Sequence, residues 1–372
     1  MPHKSGVLAV GNFDSNTGYA WKLMERLWCE LSVFYEAKNY QTYVVFPSVS
    51  DVPDCLTEHN CIVEQEDFTS KTFRSVMRQA SYIRKNSIKA VYLTDQETKS
   101  FRFFIYRLCG VREIIVHDHT PGVRTRPGLI KKLLKVIANR LPLFSCTACF
   151  AVSPYVKQRL IDVNGVQPSK VHCVTNGIDI SNLKPSVREE GEIVRIVTVG
   201  RASYYKGIDF ALQVIRSLVA DSGCRNIRYE LFGDGPDLEA FKKLAVKLEI
   251  EPYVEFHGAV HNVSERLEAC DIAFHPSKGE AMSLAILEYM RACLPVVASN
   301  NPSVNSTLIH GHDAVIYKES DVESAANALL GLINSSEYRN QLGQFGQGRV
   351  ETEFSTEAML HRFRQALSVV VR

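Results

Sequence analysis

The sequence predicts an α/β protein with two domains, each built around a parallel sheet. Its 372 residues suit two domains better than one. Short apolar runs alternate with segments of helical period, which is typical of a parallel sheet covered by helices on both faces. The alternation stops in a polar segment and restarts at Ile193. We therefore predict a first domain over residues 1–182, a linker over 183–192, a second domain over 193–350 and a C-terminal helix over 351–372.

The first domain opens with alternating strands and helices. Its predicted strands are the apolar runs 7–10, 41–46, 90–93 and 113–117. A helix over about 19–35 carries Leu23, Leu27 and Leu31 on one face, and another helix follows at about 73–83. Residues 47–69 are mostly polar and give no assignment.

The second domain repeats this order. Its predicted strands are 193–199, 229–232, 254–257, 271–275 and 294–299. Helices follow at 207–219, after Pro236, from Asn262 to Asp271 and after Ser283, and the tail from Ser355 forms one more helix. Ligands of open parallel sheets bind beyond the carboxyl ends of the strands, so we expect the site in the loops that follow them.

Composition excludes several classes of protein. Hydrophobic residues make up 45% of the chain and charged residues 23%, with a net charge of +2, as in an ordinary soluble globule. No apolar run approaches the length of a membrane span, and the first run is too short for a signal peptide. Ten scattered cysteines suit a reducing compartment, so we expect a cytoplasmic protein. Cys146 and Cys149 are interpreted as buried strand thiols, with a redox or metal role as the alternative.

The most informative stretch is residues 279–288, which joins an apolar run to a helix. If Glu280 ends a loop and Ser283 caps the helix, the N–H groups of the first turn face the loop and favour an anion. Glu288 then lies a turn into the helix, so the anion has a carboxylate on each side. Carboxylates accept hydrogen bonds from sugar hydroxyls, and a diphosphate between two carboxylates indicates a nucleotide sugar. The alternative is a capped surface helix with a solvated glutamate.

Other unusual residues also lie at the ends of predicted strands or after them, in both halves of the chain. They are Gly18, His117 and His119 in the first domain, and Gly200, Arg201, Lys206, Gly207 and Gly233 in the second. The dinucleotide fingerprint G-x-G-x-x-G is absent after the first strand, which argues against an oxidoreductase, and there is no Walker A motif. No paired aspartates follow a strand as a metal site, so we expect no metal and no other cofactor. Basic residues lack interleaved aromatics, so we expect no nucleic-acid partner.

Several motifs match one known family in order and spacing. They are Val199-Gly-Arg201 with Lys206-Gly207, Phe232-Gly-Asp-Gly-Pro236, Val254-Glu-Phe-His-Gly258, the stretch from Glu280 to Glu288, and Pro295-Val-Val-Ala-Ser299. On these motifs nearly the whole chain resembles the retaining glycosyltransferases of family four, which have the GT-B fold. The resemblance implies two Rossmann-like domains that face a cleft, with the C-terminal helix crossing back to the first domain.

The resemblance also implies roles for individual residues. Arg201 and Lys206 match the cations that neutralise the donor diphosphate as it leaves, as this chemistry requires. Glu280 matches a carboxylate near the hydroxyls of the donor sugar. His119 matches a histidine that contacts the donor sugar, with His117 as an open alternative. The donor-binding residues implied are Gly18, Gly200, Gly233, Ser283, Leu284 and the ribose-binding Glu288.

The implied activity is transfer of a sugar from a UDP or GDP sugar to a sugar-bearing or lipid-linked acceptor, with retention and without a metal. This is the chemistry of glycan, glycolipid or polysaccharide biosynthesis. The alternatives are a nucleotide-sugar epimerase or hydrolase on the same fold, or an inactive subunit that binds a partner. The chain departs from the family's usual pattern at Thr17, Ala281, Met282, Ser283 and Cys293, so the donor base and sugar stay open.

A basic stretch stands apart from these motifs. No Asp or Glu occurs between His119 and Ile161, and leucines and isoleucines recur at helical spacing within it. Such a helix can lie on an anionic membrane surface, which would make the protein peripheral on the cytoplasmic face. The basic residues of this predicted surface are Arg124, Arg126, Lys131, Lys132 and Lys135. The alternative is a helix packed on the core with a solvated basic edge.

Overall fold

The chain forms two compact units, described here from a computed structural model that covers residues 4–16, 22–125, 127–181 and 191–371. The first unit comprises Met1–Thr120, Arg124–Asn176 and Glu357–Arg372, and the second comprises Pro121–Val123 and Gly177–Thr356. The boundary thus falls slightly before the predicted end of the first domain. Most of the predicted linker, 183–192, lies outside the described residues.

The first unit is built on a parallel sheet. Its strands are β1 (Ser5–Val10), β2 (Tyr40–Phe46), β3 (Ile62–Gln65), β4 (Ile88–Thr94), β5 (Glu113–Asp118), β6 (Ala148–Ala151) and β7 (Val171–Cys173). Over the described residues their order is β3-β2-β1-β4-β5-β6-β7, with the first strand of the chain in the interior. In this doubly wound order, successive strands are added on one side of β1 up to β3 and on its other side from β4 onward. Ligands of such sheets bind in the crevice at this switch point between β1 and β4.

Helices cover this sheet. They are α1 (Lys22–Glu36), α2 (Asp54–Glu58), α3 (Phe73–Lys85), α4 (Phe101–Leu108), α5 (Leu129–Arg140) and α6 (Pro154–Asp162). Helix α1 buries Leu23, Leu27 and Leu31, as the sequence predicts. The elements β3, β7, α2, α4 and α6 were not predicted. In β3 the four residues are all partly or fully exposed, so this edge strand lacks the apolar signal on which prediction depends.

The second unit repeats the architecture. Its strands are β8 (Val194–Val199), β9 (Ile227–Phe232), β10 (Val254–Gly258), β11 (Ile272–His275), β12 (Val296–Ser299) and β13 (Ala314–Tyr317). Their order in the described sheet is β10-β9-β8-β11-β12-β13. Its helices are α7 (Ile208–Arg216), α8 (Leu238–Lys247), α9 (Val263–Leu267), α10 (Leu284–Arg291), α11 (Pro302–Asn305), α12 (Val322–Ile333) and α13 (Ser336–Glu353). Helix α9 ends before the predicted Asp271.

Buried apolar side chains hold each sheet to its helices. In the second unit Ile208, Leu212 and Ile215 of α7 are all fully buried against the sheet. Burying one such side chain contributes roughly 1.5–3 kcal/mol. The helix can lie this close because its apolar residues recur at helical spacing on one face.

The last helix, α14 (Thr356–Val370), belongs to the first unit from Glu357 onward. Its Phe363 is fully buried, with its ring 5.9 Å from that of Tyr92 and 5.8 Å from that of Phe150. The predicted return of the C-terminal helix to the first domain is therefore confirmed, and so are the two Rossmann-like folds. Within the described ranges, no helix has the length and apolar character needed to cross a bilayer.

Candidate functional site

The loops after β8 and β11 in the second unit are locked together by a glycine. Gly207 has a left-handed φ of +71°, and a Cβ placed there would lie 2.0 Å from the carbonyl oxygen of Pro276. Only glycine permits both this conformation and this approach. The predicted Lys206-Gly207 motif therefore fixes Lys206, at the end of a short 3-10 turn, beside the carboxyl end of β11.

Lys206 and Glu280, which the sequence assigns to one site, are in contact. The Lys206 Nζ lies 2.6 Å from Glu280 Oε1, and Glu280 is only 7% exposed. The ring nitrogen Nε2 of His275 lies 3.3 Å from the same oxygen. Burial alone would raise the pKa of Glu280, but the bond to His275 and the charge on Lys206 outweigh it and lower the pKa to about 2. Glu280 is thus a buried anion at neutral pH.

His275 is a site residue that sequence analysis missed. It ends β11, is 2% exposed, and its Nδ1 has no hydrogen-bond partner in the described part of the chain. Its ring stands 6.1 Å from that of Tyr289, at 66° to it. The available signal was a histidine at a strand end just before Pro276. We interpret His275 as the residue that orients Glu280.

Helix α10 begins where the stretch 279–288 predicts. Ser283 occupies the N-cap position with φ −75° and ψ 120°, although its side chain makes no capping bond in the described structure. The loop before it is held by the Glu280 amide, which donates to Ser303 Oγ at 3.3 Å. The first N–H groups of an α-helix have no partner inside it, and the dipole there favours an anion. Ser283 and Leu284 thus stand at a helix end whose dipole favours an anion, and their binding of a donor phosphate stays a prediction.

Glu288 lies inside α10, as predicted, but it is paired within the protein. Its Oε2 lies 3.2 Å from the Nε of Arg291 and accepts from Ser264 Oγ at 3.3 Å. The residue is 8% exposed. Its assignment to a ribose therefore stays a prediction, and Arg291 is a further residue that the sequence did not indicate.

The glycines after β8 and β9 are packed against one another. Gly233 has φ +151°, and a Cβ there would lie 1.9 Å from the carbonyl oxygen of Gly200. The hydroxyl of Tyr289 also accepts from the Val199 amide at 2.5 Å, so α10 is tied to the end of β8. Arg201 follows Gly200 on this rim, is exposed, and has no ion-pair partner among the described residues. Its assignment to the donor diphosphate stays a prediction.

The two candidate histidines of the first unit have different surroundings. His117 is fully buried, its Nδ1 is bonded to the hydroxyl of Tyr92, and its ring packs on Phe150. His119 is partly exposed, and neither of its ring nitrogens has a hydrogen-bond partner in the described chain. Burial lowers the pKa of both, so both are neutral imidazoles at neutral pH. His117 is thus part of the core of the sheet, and the contact of His119 with a donor sugar stays a prediction.

Asp95 is a second residue that sequence analysis missed. It follows β4, which borders the switch point of the first sheet, and has a left-handed φ of +51° that is uncommon outside glycine. Its Oδ1 accepts from the His119 amide at 2.5 Å. Burial raises the pKa of Asp95. A polar residue directly after an apolar strand was the signal available in the sequence.

The basic helix α5 does not pack as the core-packed alternative requires. Its apolar side chains do not pack on the core: Leu129 is 88% exposed, Ile130 79%, and Leu134 61%. The packed alternative is therefore wrong. Arg124, Lys131 and Lys132 are exposed, whereas Lys135 is partly buried and donates from Nζ to the Val163 carbonyl at 2.8 Å. Gly18 and Arg126, also predicted as site residues, lie outside the described residues.

One group of residues in the described chain has the spacing of a metal site. The group consists of Glu230, Glu255 and His257, each of which offers one ligand atom, and these three atoms lie within 4.8 Å of one another. Both carboxylates already pair with arginines, Arg195 at 3.0 Å and Arg228 at 3.4 Å. These positive charges oppose a cation, so we interpret the group as an ion-pair network at the edge of the second sheet.

Two family models together account for most of the chain. The model described as Glycosyltransferase Family 4 matches residues 24–182, and that described as Glycosyl transferases group 1 matches residues 179–349. The chain belongs to glycosyltransferase family four. Among curated relatives, a phosphatidylinositol N-acetylglucosaminyltransferase subunit from Arabidopsis thaliana is 30% identical over 51% of this chain and 44% of its own. An Escherichia coli UDP-Gal:alpha-D-GlcNAc-diphosphoundecaprenol alpha-1,3-galactosyltransferase is 21% identical over 70% of each chain.

The first curated relatives match over part of their length, whereas the solved structures match over nearly the whole chain. The chain spans 44% of the length of the Arabidopsis relative and 41% of an uncharacterized glycosyltransferase from Haemophilus influenzae, less than half of each. A glycosyltransferase from Rickettsia africae ESF-5 aligns with a TM-score of 0.79 at 15% identity, covering 99% of both chains. Anabaena Alr3699/HepE in complex with UDP and glucose aligns with a TM-score of 0.72 at 16% identity, covering 98% of this chain and all of that one. These neighbours confirm the GT-B fold.

Proposed function

We propose that the protein transfers a glycosyl group from a nucleotide-diphospho sugar, with a UDP or GDP leaving group, to an acceptor hydroxyl with retention at the anomeric carbon. The observation that carries this proposal is the Lys206–Glu280–His275 cluster beside the N-terminus of α10. It places a cation, a helix end and a buried carboxylate at the carboxyl edge of one sheet. These groups suit a diphosphate and a sugar. The names of the relatives, which include several glycosyltransferases, support the same reaction class.

In this mechanism the protein stabilises charge as the diphosphate leaves. Lys206 and Arg201 and the first N–H groups of α10 bind the phosphate oxygens, where negative charge grows in the transition state. Glu280 accepts hydrogen bonds from the donor-sugar hydroxyls through the oxygen that does not contact Lys206, and His275 holds its orientation. Glu288 binds the ribose. The bond from the anomeric carbon to the phosphate oxygen breaks, the acceptor oxygen bonds to that carbon on the same face, and the acceptor's proton passes to the departing diphosphate.

A ligand screen followed by a transfer assay tests this function. Nucleotides and nucleotide sugars are first compared by thermal shift, where a ligand at 100 times its dissociation constant adds roughly 2.7 kcal/mol. The stabilising nucleotide sugar is then incubated with lipid-linked and soluble sugar acceptors, and products are identified by mass spectrometry. We expect a glycosylated acceptor with the anomeric configuration of the donor. Free sugar or an epimer without any acceptor product would indicate a hydrolase or epimerase, and no nucleotide binding would indicate an inactive subunit.

We also propose that the first unit docks peripherally on an anionic membrane, at its cytoplasmic face. The docking surface, called the α5 surface below, consists of Arg124, Leu129, Ile130, Lys131, Lys132, Leu133 and Leu134. Its apolar members are all at least 60% exposed, an unusual patch for a protein surface. Adjacent lysines make it complementary to anionic headgroups, each contributing about 1 kcal/mol near such a surface. An anionic membrane therefore matches both parts of this surface, with its acyl chains against the apolar side chains and its headgroups against the lysines.

Cosedimentation with vesicles tests the membrane proposal. We expect binding to anionic but not to zwitterionic vesicles, and binding that weakens as salt rises. The double variant Lys131→Gln/Lys132→Gln should lose about 2 kcal/mol of vesicle affinity. The matched control Lys242→Gln/Lys243→Gln, at two exposed positions of α8, should bind like the wild type. No pelleting above the zwitterionic control, or concentration-dependent dimers that the leucines mediate instead, would contradict the proposal.

A further inference from the structure

The first unit contains a cavity of about 470 Å³ that none of the donor-site residues explains. It opens beyond the carboxyl ends of β1, β4 and β5, and all of its lining residues belong to the first unit. Its size is within the range of small-molecule sites. Its lining is polar, with Asn12, Thr69 and Thr120 among the uncharged residues and acids and bases around them. The cavity is therefore built for a polar ligand.

The acids of the cavity are largely neutralised from within the protein. Both carboxylate oxygens of Asp118 lie 3.1 Å from Nη2 of Arg159. Glu97 lies 2.6 Å from the Nζ of Lys71 and 3.4 Å from the guanidinium of Arg102. The carboxyl that remains is that of Asp95, whose Oδ1 accepts from the His119 amide at 2.5 Å. The lining holds three acidic and five basic residues, so positive side chains outnumber negative ones there.

The remaining cations of the lining have no such partners. In the described part of the chain, Lys99, Lys135 and Arg124 have no carboxylate within ion-pair distance. Lys99 Nζ lies 3.4 Å from the Lys135 carbonyl, and Lys135 donates to that of Val163. Burial and then the charge of Lys135 lower the pKa of Lys99. Burial and then the charges of Lys131 and Arg124 lower the pKa of Lys135. An anion that binds between such cations relieves their mutual repulsion, so a polar cavity lined by them favours anion binding.

We propose that this cavity binds a phosphate or diphosphate group of the acceptor, held between Lys99, Lys135 and Arg124. The assignment of this anion to the acceptor rests on the glycosyl transfer proposed above, whereas the anion site itself does not. The donor diphosphate has its own cations in the second unit, so a separate anion site in the first unit suits the other substrate. Lys135 lies on α5, whose exposed leucines form part of the α5 surface. A phosphorylated lipid could therefore place its headgroup in the cavity while its chain stays in the bilayer.

Residue-resolved lysine labelling tests the site. The full-length protein is treated with an amine-acylating reagent at constant ionic strength, with pyrophosphate or with chloride, and each lysine is quantified by mass spectrometry. At ten times its dissociation constant, pyrophosphate should slow labelling of Lys99 and Lys135 roughly tenfold. Lys132, exposed on the same helix but outside the cavity lining, should label at an unchanged rate. Equal labelling of Lys99 and Lys135 in pyrophosphate and chloride would overturn the proposal.

Variants and donor nucleotides sharpen the result. Lys99→Gln and Arg124→Gln should each raise the pyrophosphate concentration that half-protects Lys135 about tenfold, since each removes a charge-assisted contact. Lys132→Gln should leave that concentration unchanged. A nucleoside diphosphate should protect Lys206 in the same samples without protecting Lys99 or Lys135. If pyrophosphate protects only Lys206, the anion site is refuted.

The source of the phosphate and the dependence on the proposed function are separated by further arms. Vesicles that carry a phosphorylated lipid should protect Lys99 and Lys135, and vesicles of neutral diacylglycerol in zwitterionic lipid should not. Protection by a soluble sugar phosphate at equal concentration would assign the phosphate to a soluble acceptor. Protection without any glycosyl transfer would refute the proposed function and retain the anion site. Transfer to an acceptor without protection of Lys99 and Lys135 would refute the anion site and retain the proposed function.

Discussion

Replacing Glu280 with glutamine should destabilise the second unit, in a way that depends on pH. The pKa of Glu280 falls from an ordinary 4.5 to about 2 in the folded protein. A difference of this size corresponds to about 3 kcal/mol of unfolding free energy, which ionisation of Glu280 contributes at neutral pH. The side chain is only 9% exposed, so solvent screening removes little of this value. Glutamine resembles the protonated form, and Glu280→Gln should therefore lower the unfolding free energy by about 3 kcal/mol at pH 7.

The sign of the pH dependence provides the stricter test. Because the folded-state pKa is the lower one, the stabilisation is present above pH 4.5 and disappears as the pH falls through that value towards 2. Urea unfolding of wild type and variant at several pH values should show curves that converge in acid. Glu239→Gln is the control, because Glu239 is 75% exposed and its pair with Lys242 contributes at most about 1 kcal/mol. A variant as stable as the wild type at pH 7, or one with the same deficit at pH 3, would refute the reasoning.

Three further predictions follow from the same site. Arg201→Ala and Lys206→Ala should each lower turnover on the true donor about 10²-fold. Only Lys206→Ala should also lower the melting temperature, because it leaves the buried Glu280 without its cation. Wild-type rates in either variant would remove that residue from the mechanism. Gly207→Ala should lower the stability in thermal unfolding several times more than Gly223→Ala. Both glycines have positive φ, but only at Gly207 would the added Cβ lie 2.0 Å from a carbonyl oxygen. Equal losses would mean that the close approach is unimportant. Glu288→Ala should weaken nucleoside-diphosphate binding in calorimetry, whereas Glu280→Ala should mainly lower turnover, and an equal loss of affinity in both would contradict the division of roles.

Local patterns in the sequence were sufficient for the fold class and the two α/β halves, although β13 and the helices α11, α12 and α13 of the second unit were not predicted. Strands and helices alternate because apolar residues recur at a period set by each element, and this information lies within short windows. The strand ends, and with them Lys206, Glu280, Ser283 and Glu288, could be placed because parallel sheets bring their carboxyl ends to one edge. The short exposed strand β3 escaped prediction, since nothing in four partly exposed residues separates a strand from a loop.

Only the tertiary structure decided which charged groups neutralise one another. Lys206 and Glu280 are 74 positions apart in the chain, and Arg159 and Asp118 are 41 apart, so no local pattern reports either pair. The same holds for His275 and Asp95, whose roles come from burial and from the neighbours that the fold supplies. Helix α5 is the clearest case, because an apolar stripe at helical spacing gives the same sequence pattern whether the stripe packs on a core or faces solvent. Its exposure depends on whether the fold offers a surface for it to cover, and periodicity within one segment carries no information about the other segments of the chain.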